Sequence, residues 1–175
     1  MADGEWLKGR IRDVPDFPSP GIVFRDVTPL LGDIESLRFT VDALADAFAG
    51  RRIDKVVGVE ARGFILAAPV AYRLGVGFVP VRKPGKLPWR TESEEYALEY
   101  GVDRLEIHTD ALAAGDQVLV VDDVIATGGT AQATVRLVER LGGVVAGLAF
   151  ALELTYLAGR GKLEGYDVVS LVTYP

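Results

Sequence analysis

One run of thirteen residues holds the densest chemistry of the chain: Val118-Leu119-Val120-Val121-Asp122-Asp123-Val124-Ile125-Ala126-Thr127-Gly128-Gly129-Thr130. Four apolar residues read as a buried strand. Two carboxylates follow at its carboxyl end, and a small, hydroxyl-rich and glycine-rich turn then opens a helix. Glycines let backbone N–H groups approach an anion closely, and a helix N-terminus adds a favourable dipole. Thr127 and Thr130 supply hydroxyls to the same oxygens, in a turn completed by Ala126, Gly128 and Gly129. Asp122 and Asp123 suit ribose hydroxyls or a hard cation. The run asks for a sugar carrying a phosphate at one end. Without such a ligand, two carboxylates pressed against a buried strand are an unexplained cost. Other phosphate motifs are absent: Gly85-Lys86 and Gly161-Lys162 are each followed by leucine, so no G-x-x-x-x-G-K-[ST] exists, and no G-x-G-x-x-G follows a strand.

Four further groups of residues bear chemistry. Arg62-Gly63 falls where a strand ends and a helix begins, a natural anion site. Arg82, Lys83 and Lys86 follow the apolar run 77–81 and concentrate positive charge. Val23, Phe24 and Arg25 follow a proline-rich stretch, and Glu99 lies between Leu98 and Tyr100. Each also has an ordinary reading: a surface arginine, a solvated basic loop, a core phenylalanine, a solvated glutamate. Leu154 reads equally as core. His108 belongs to no motif and reads as a surface residue.

Elements of two kinds must position these groups. Runs rich in β-branched residues at 55–59, 77–81, 117–121, 144–152 and 167–173 are apolar almost throughout, as buried parallel strands are. Helical spacing appears from Ile34 through Leu37, Val41, Leu44 and Phe48, with Asp33 as N-cap and Gly50 as stop. It appears again at 64–74, before Gly75, and at 131–141, before Gly142. Strand–helix alternation predicts an α/β fold with a mainly parallel sheet covered on both faces. Ligands of such sheets bind at the carboxyl ends of the strands. Two stretches fit neither pattern. Residues 13–32 hold Pro15, Pro18, Pro20, Gly21 and Pro29 and read as an ordered loop or extended cover. Residues 83–101 read as a long excursion, of the kind that serves as a functional lid.

The 175 residues predict a single domain, 1–175. A hydrophobic fraction of 49% and a charged fraction of 25% exclude a disordered chain, a collagen and a coiled coil. A net charge of −6 argues against a nucleic-acid or membrane-surface binder. The absence of cysteine excludes disulfides, thiolate nucleophiles and thiolate metal sites, and His108 alone cannot build a histidine-rich one. The acidic start has no signal-peptide order, and the longest uncharged apolar stretch is too short to span a bilayer. A cytoplasmic protein is expected.

Residues 118–130 resemble the phosphoribosyl-pyrophosphate (PRPP) binding motif of the type I phosphoribosyltransferases. Five more segments resemble the adenine-using branch of that family: residues 17–26, 60–64 (Glu-Ala-Arg-Gly-Phe), 82–88, 96–101 and 153–155. They occur in the family's order and cover nearly the whole chain, with Pro84 a minor departure. The resemblance implies the type I phosphoribosyltransferase fold, with a small hood over the carboxyl ends of the strands. It implies the reaction of adenine with PRPP to give AMP and diphosphate, with Mg²⁺ accompanying PRPP. It assigns Ala126, Thr127, Gly128, Gly129 and Thr130 to the 5-phosphate and Asp122 and Asp123 to the ribose, directly or through metal-bound water. Arg62, Arg82, Lys83 and Lys86 go to the diphosphate. Val23, Phe24, Arg25 and Leu154 go to adenine, with Phe24 and Leu154 on opposite faces of the ring. Glu99 becomes the proton-handling group at the base, with Arg62 beside it in catalysis. A homodimer is implied, with the basic loop near its interface, and 13–32 as the base-binding segment. Two rivals stand beside this: an enzyme for a 6-oxopurine such as hypoxanthine or xanthine, and a non-catalytic PRPP-sensing regulator. The second calls for a basic surface or a DNA-binding segment, which an acidic chain of this length does not suggest.

Overall fold

The computed structural model describes residues 4–97 and 102–175. In chain order the elements are β1 (Arg12–Pro15), β2 (Val23–Asp26), α1 (Thr28–Gly32), α2 (Ile34–Asp46), β3 (Lys55–Val59), α3 (Arg62–Leu74), β4 (Gly77–Val81), β5 (Thr91–Ala97), β6 (Val102–His108), β7 (Gln117–Ile125), α4 (Gly129–Arg140), β8 (Val144–Leu154) and β9 (Val168–Tyr174). Short 3₁₀ turns lie at Glu5–Arg10, Thr155–Leu157 and Gly159–Leu163.

The five apolar runs form one parallel sheet in the order β4-β3-β7-β8-β9. Side chains alternate across it. Val118 and Val120 enter a core with Val135 and Val138 of α4 and Leu105 and Ile107 of β6. Leu119 and Val121 enter another with Leu44 and Phe48, which α2 and its end supply, and Leu66 and Val70 of α3. Both faces are buried, so the strands are apolar at every position rather than every second one. The Asp33 carboxylate accepts the Ser36 N–H at 3.0 Å and caps α2. α3 and α4 each begin two residues earlier than the periodicity suggests, at Arg62 and Gly129. Among the described residues, no helix is long and apolar enough to cross a membrane.

Three features differ from expectation. First, β7 does not stop before its two carboxylates. Its ladder with β8 runs on through Asp122↔Phe150 to Ile125↔Glu153, so Asp122 and Asp123 are strand residues facing opposite sides of the sheet. Second, residues 13–32 contain an antiparallel hairpin, β1 with β2, and the short helix α1. Its turn holds the cis Phe17–Pro18 peptide. Third, β5 in the 83–101 excursion pairs antiparallel with β6, from Thr91↔His108 to Ala97↔Val102. Arg136 of α4 binds Glu94 at 3.0 Å, and Arg140 binds Glu92 at 3.1 Å and the Ser93 carbonyl at 2.7 Å. Ion pairs rather than apolar burial fasten this strand, so no hydrophobic alternation marks it. His108 is half-buried, and its Nε2 is covered with no hydrogen-bond partner among the described residues. The exposed position expected for it is corrected.

Candidate active site

A cleft of about 270 Å³ opens at the carboxyl ends of β3 and β7. Glu60 and Arg62 form one side, Asp122 and Asp123 the floor, and residues 124–131 the other side. Gly128 has φ +76°, in the left-handed region that glycine adopts without strain, and this turns the chain into α4. The first amides of α4 lack intrahelical acceptors, as at any helix start, and they line this cleft. Residues 126–130 thus form one wall of the cleft, with Thr130 half-buried.

The acidic pair divides its work. Asp123 is buried, and the Arg62 Nε–H donates to its Oδ2. Asp122 is partly exposed, and its Oδ1 accepts the Asp123 N–H at 2.9 Å. Gly63 presses on that same Oδ1, where any Cβ would overlap it. Burial pushes the Asp122 carboxyl well above the ordinary carboxylate range, and the Asp123 charge adds to the shift. A raised folded-state value means that stability is lost as pH rises from the unfolded carboxyl's range through the folded one. Asp122→Asn keeps an oxygen for the Asp123 amide and removes the charge. We expect its melting temperature at pH 7 to exceed wild type by about 2–4 °C, roughly 1 kcal/mol at this size. The gain should vanish below about pH 3.8, while turnover falls. Thermal unfolding across pH checks the sign: a variant less stable than wild type at pH 7 contradicts it.

The cations of the basic loop are not free. Arg82 donates to Glu60 at 2.7 Å, and Lys86 lies 3.6 Å from the other oxygen of the same carboxylate. Lys83 pairs with Asp103 of β6 at 2.8 Å. Burial opposes the Glu60 charge, but the two cations hold its carboxyl below the ordinary range. Arg62, Arg82 and Lys86 are thus gathered around the end of β3, where the Glu60–Ala61 peptide is cis. Lys83 points instead to the β5–β6 hairpin.

On the base segment, Phe24 lines a notch of about 250 Å³ with Val14, Phe17 and Asp26. The Phe17 ring meets it edge-on at 5.2 Å, and the Arg62 guanidinium lies 5.5 Å from its centroid. Arg62 therefore joins the notch to the cleft. The Arg25 side chain, one residue along the strand, pairs with Asp13 and stacks on Tyr174 at 4.1 Å. Val23 is exposed beside it. Leu154 ends β8 and packs on the cluster of Leu7, Ile11 and Val27. Glu99 lies outside the described residues.

Three likenesses bear on this geometry. The model of the phosphoribosyl transferase domain matches residues 35–171, which include the cleft but not the Phe24 segment. Whole-length relatives extend the match. An adenine phosphoribosyltransferase of Thermotoga neapolitana is 60% identical over 168 residues, 96% of this chain and 99% of that protein. The chain belongs to the adenine phosphoribosyltransferase family. A crystal structure of the adenine phosphoribosyltransferase of Thermoanaerobacter pseudethanolicus superposes with TM-score 0.94 at 55% identity, covering 97% and 98% of the two chains. The Saccharomyces cerevisiae family member, solved with adenine and an imino-altritol bisphosphate, superposes at 0.91 with 42% identity, covering 97% and 98%.

Residues outside the motif pack against the same loop. The 3₁₀ turn Gly159–Leu163 lies directly behind the cradle: a Cβ at Gly128 would overlap the Gly159 carbonyl, and one at Gly159 would overlap the Ala126 carbonyl. The turn is tied to β8 by Arg160, which donates to Glu153 at 3.0 and 2.5 Å. A carboxylate closing a long apolar run is a signal that a cation must approach it. Arg160 holds the Glu153 carboxyl below its ordinary range, so this pair stabilises the fold above about pH 4.5 and the contribution is lost as pH falls through the lowered value. Arg160→Met leaves a buried carboxylate unpaired. We expect a loss of about 2 kcal/mol at pH 7, less than the 3–5 kcal/mol of a fully buried pair because Arg160 is half exposed. Urea unfolding measures it, and a loss that persists undiminished at about pH 3 contradicts the ionic origin.

Proposed function

We propose that the protein transfers the 5-phosphoribosyl group of PRPP to adenine, forming AMP and diphosphate. The observation that carries this reading is the union, in one cleft, of a glycine-rich helix N-terminus with two adjacent carboxylates. The amides and hydroxyls of residues 126–130 receive the 5-phosphate, and Asp122 and Asp123 the ribose hydroxyls. Arg62, Arg82, Lys83 and Lys86 serve the diphosphate, the last three by exchanging Glu60 and Asp103 for the ligand. Adenine lies on Phe24 with Leu154 on its other face. Since the Arg25 side chain turns to Tyr174, the polar edge of the base is read by backbone groups of 23–25. The names of the relatives support adenine over a 6-oxopurine and an enzyme over a regulator.

In the reaction the bond from ribose C1 to the diphosphate oxygen breaks and a bond to adenine N9 forms, through oxocarbenium character at C1. Both carboxylates line the cleft in which the positive charge develops. Glu99 accepts or shares the purine proton near N7 or N9. The excursion 83–101 covers the sugar and keeps water, a competing nucleophile, away. Two carboxylates beside a phosphate cradle fit a cation that keeps its waters and shares substrate oxygens. Asp122 and Asp123 would hold Mg²⁺ through water, and bound there it would neutralise and orient the leaving diphosphate. A single domain, a cytoplasmic location and a homodimer complete the proposal.

Calorimetry tests the cradle. AMP and ribose 5-phosphate are expected to bind far more tightly than adenosine, and Thr130→Val to weaken both phosphorylated ligands. Equal affinity for AMP and adenosine, with Thr130→Val unchanged, would overturn the reading.

A further inference from the structure

We propose that Tyr96 is a positioning residue for the phosphate cradle, its hydroxyl aiming that of Thr130 at the bound phosphate. The proposal rests on reading residues 126–130 as the 5-phosphate site and names a residue on another element that prepares it.

Tyr96 lies near the end of β5, opposite Asp103 on β6. Its hydroxyl oxygen is 3.2 Å from Asp103 Oδ2 and 3.4 Å from Thr130 Oγ1. The ring packs on the core that α4 shares with the sheet, and Arg136 and Arg140 of α4 hold β5 in place. The hydroxyl is therefore fixed by two strands and a helix. It has one proton to give and lone pairs to accept with. The ionised Asp103 is the stronger acceptor and takes the proton, which leaves the Tyr96 oxygen to accept from Thr130.

The consequence concerns where the Thr130 hydroxyl points. Inside a helix a threonine hydroxyl can bond the carbonyl four residues earlier, as Thr134 does by donating to the Thr130 carbonyl at 2.8 Å. Thr130, in the first turn of α4, has no helical carbonyl behind it, and its hydroxyl reaches outward to Tyr96. When a phosphate fills the cradle, the Thr130 hydroxyl keeps its proton and turns its hydrogen bond to the anionic oxygen, a better acceptor than a phenol. The side chain is already in place, and less ordering remains to be done on binding.

The test is a double-mutant cycle on AMP affinity, read by calorimetry. Tyr96→Phe is expected to weaken AMP roughly 2- to 12-fold, the cost of ordering one side chain on binding that Tyr96 otherwise holds in place beforehand. It should raise the KM for PRPP while kcat changes little. In a Thr130→Val background the same change should have no further effect. Tyr166→Phe removes another tyrosine hydroxyl, one that donates to Glu139 at 2.6 Å at the far end of α4, and should leave AMP affinity unchanged. Wild-type affinity in Tyr96→Phe, or effects of the two substitutions that simply add, would overturn the proposal while a weakened Thr130→Val keeps the cradle. Wild-type affinity in Thr130→Val would remove the cradle and this proposal together.

Discussion

Replacing Glu99 by glutamine is expected to slow AMP formation about 10²–10⁴-fold, the usual worth of general acid–base help. An amide takes no proton at neutral pH, yet it keeps the shape and hydrogen-bonding reach of the carboxylate. Affinity for PRPP and AMP should therefore change much less than the chemical step. The comparison needs a neutral control from the same excursion. Glu94 does not serve, because Arg136 and Arg140 use it to fasten β5 to α4. Glu95 does: it is exposed and, among the described residues, pairs only with the exposed Arg104, so Glu95→Gln should be close to wild type. Single-turnover AMP formation at saturating substrates reads the chemical step. A rate for Glu99→Gln equal to that of Glu95→Gln would reduce Glu99 to surface.

The second large effect is expected behind the cradle. Gly128→Ala places a methyl on the Gly159 carbonyl and demands a left-handed backbone of alanine. Gly159→Ala places one on the Ala126 carbonyl from the other side. In both, the loop and the turn must separate, and backbone is what has to move. Both variants should lose AMP affinity on the order of 10²-fold, the value of about two charge-assisted hydrogen bonds at about 1.5 kcal/mol each. They should also melt earlier than wild type, since the packing behind the loop is lost. Gly161→Ala, in the same turn but with open space around it, is the control. Calorimetry showing Gly159→Ala at wild-type affinity would break the claim that this turn shapes the phosphate site.

These residues also show how far the sequence could be read. The five sheet strands were legible because burial on both faces makes every position apolar, and β3 and β4 have the predicted bounds. The glycine-rich turn into α4 was legible because a left-handed backbone such as that of Gly128 favours glycine; its role as a phosphate cradle is part of the proposal. β5 was not: Thr91-Glu92-Ser93-Glu94-Glu95 has no apolar face, and only the ladder to β6 and the arginines of α4 make it a strand. The acidic pair was legible as chemistry but misplaced by one element. Hydrogen bonds to β8, invisible in the local pattern, carry β7 past it to Ile125. Gly159 and Arg160 escaped because their partners lie about thirty and seven residues away in sequence, and no local period records such contacts. The pairing of Arg82 and Lys86 with Glu60 escaped for the same reason.

Joining adenine to the phosphoribosyl group is the work proposed for this cleft. The most direct measurement incubates the protein with PRPP and Mg²⁺ and offers adenine, hypoxanthine, guanine and xanthine in separate reactions. The nucleotide formed is then identified chromatographically and its initial rate recorded. AMP is expected from adenine, with diphosphate released in equal amount, at a rate well above that of any 6-oxopurine. Faster nucleotide formation from hypoxanthine, guanine or xanthine, or no nucleotide from adenine while PRPP still binds, would contradict it.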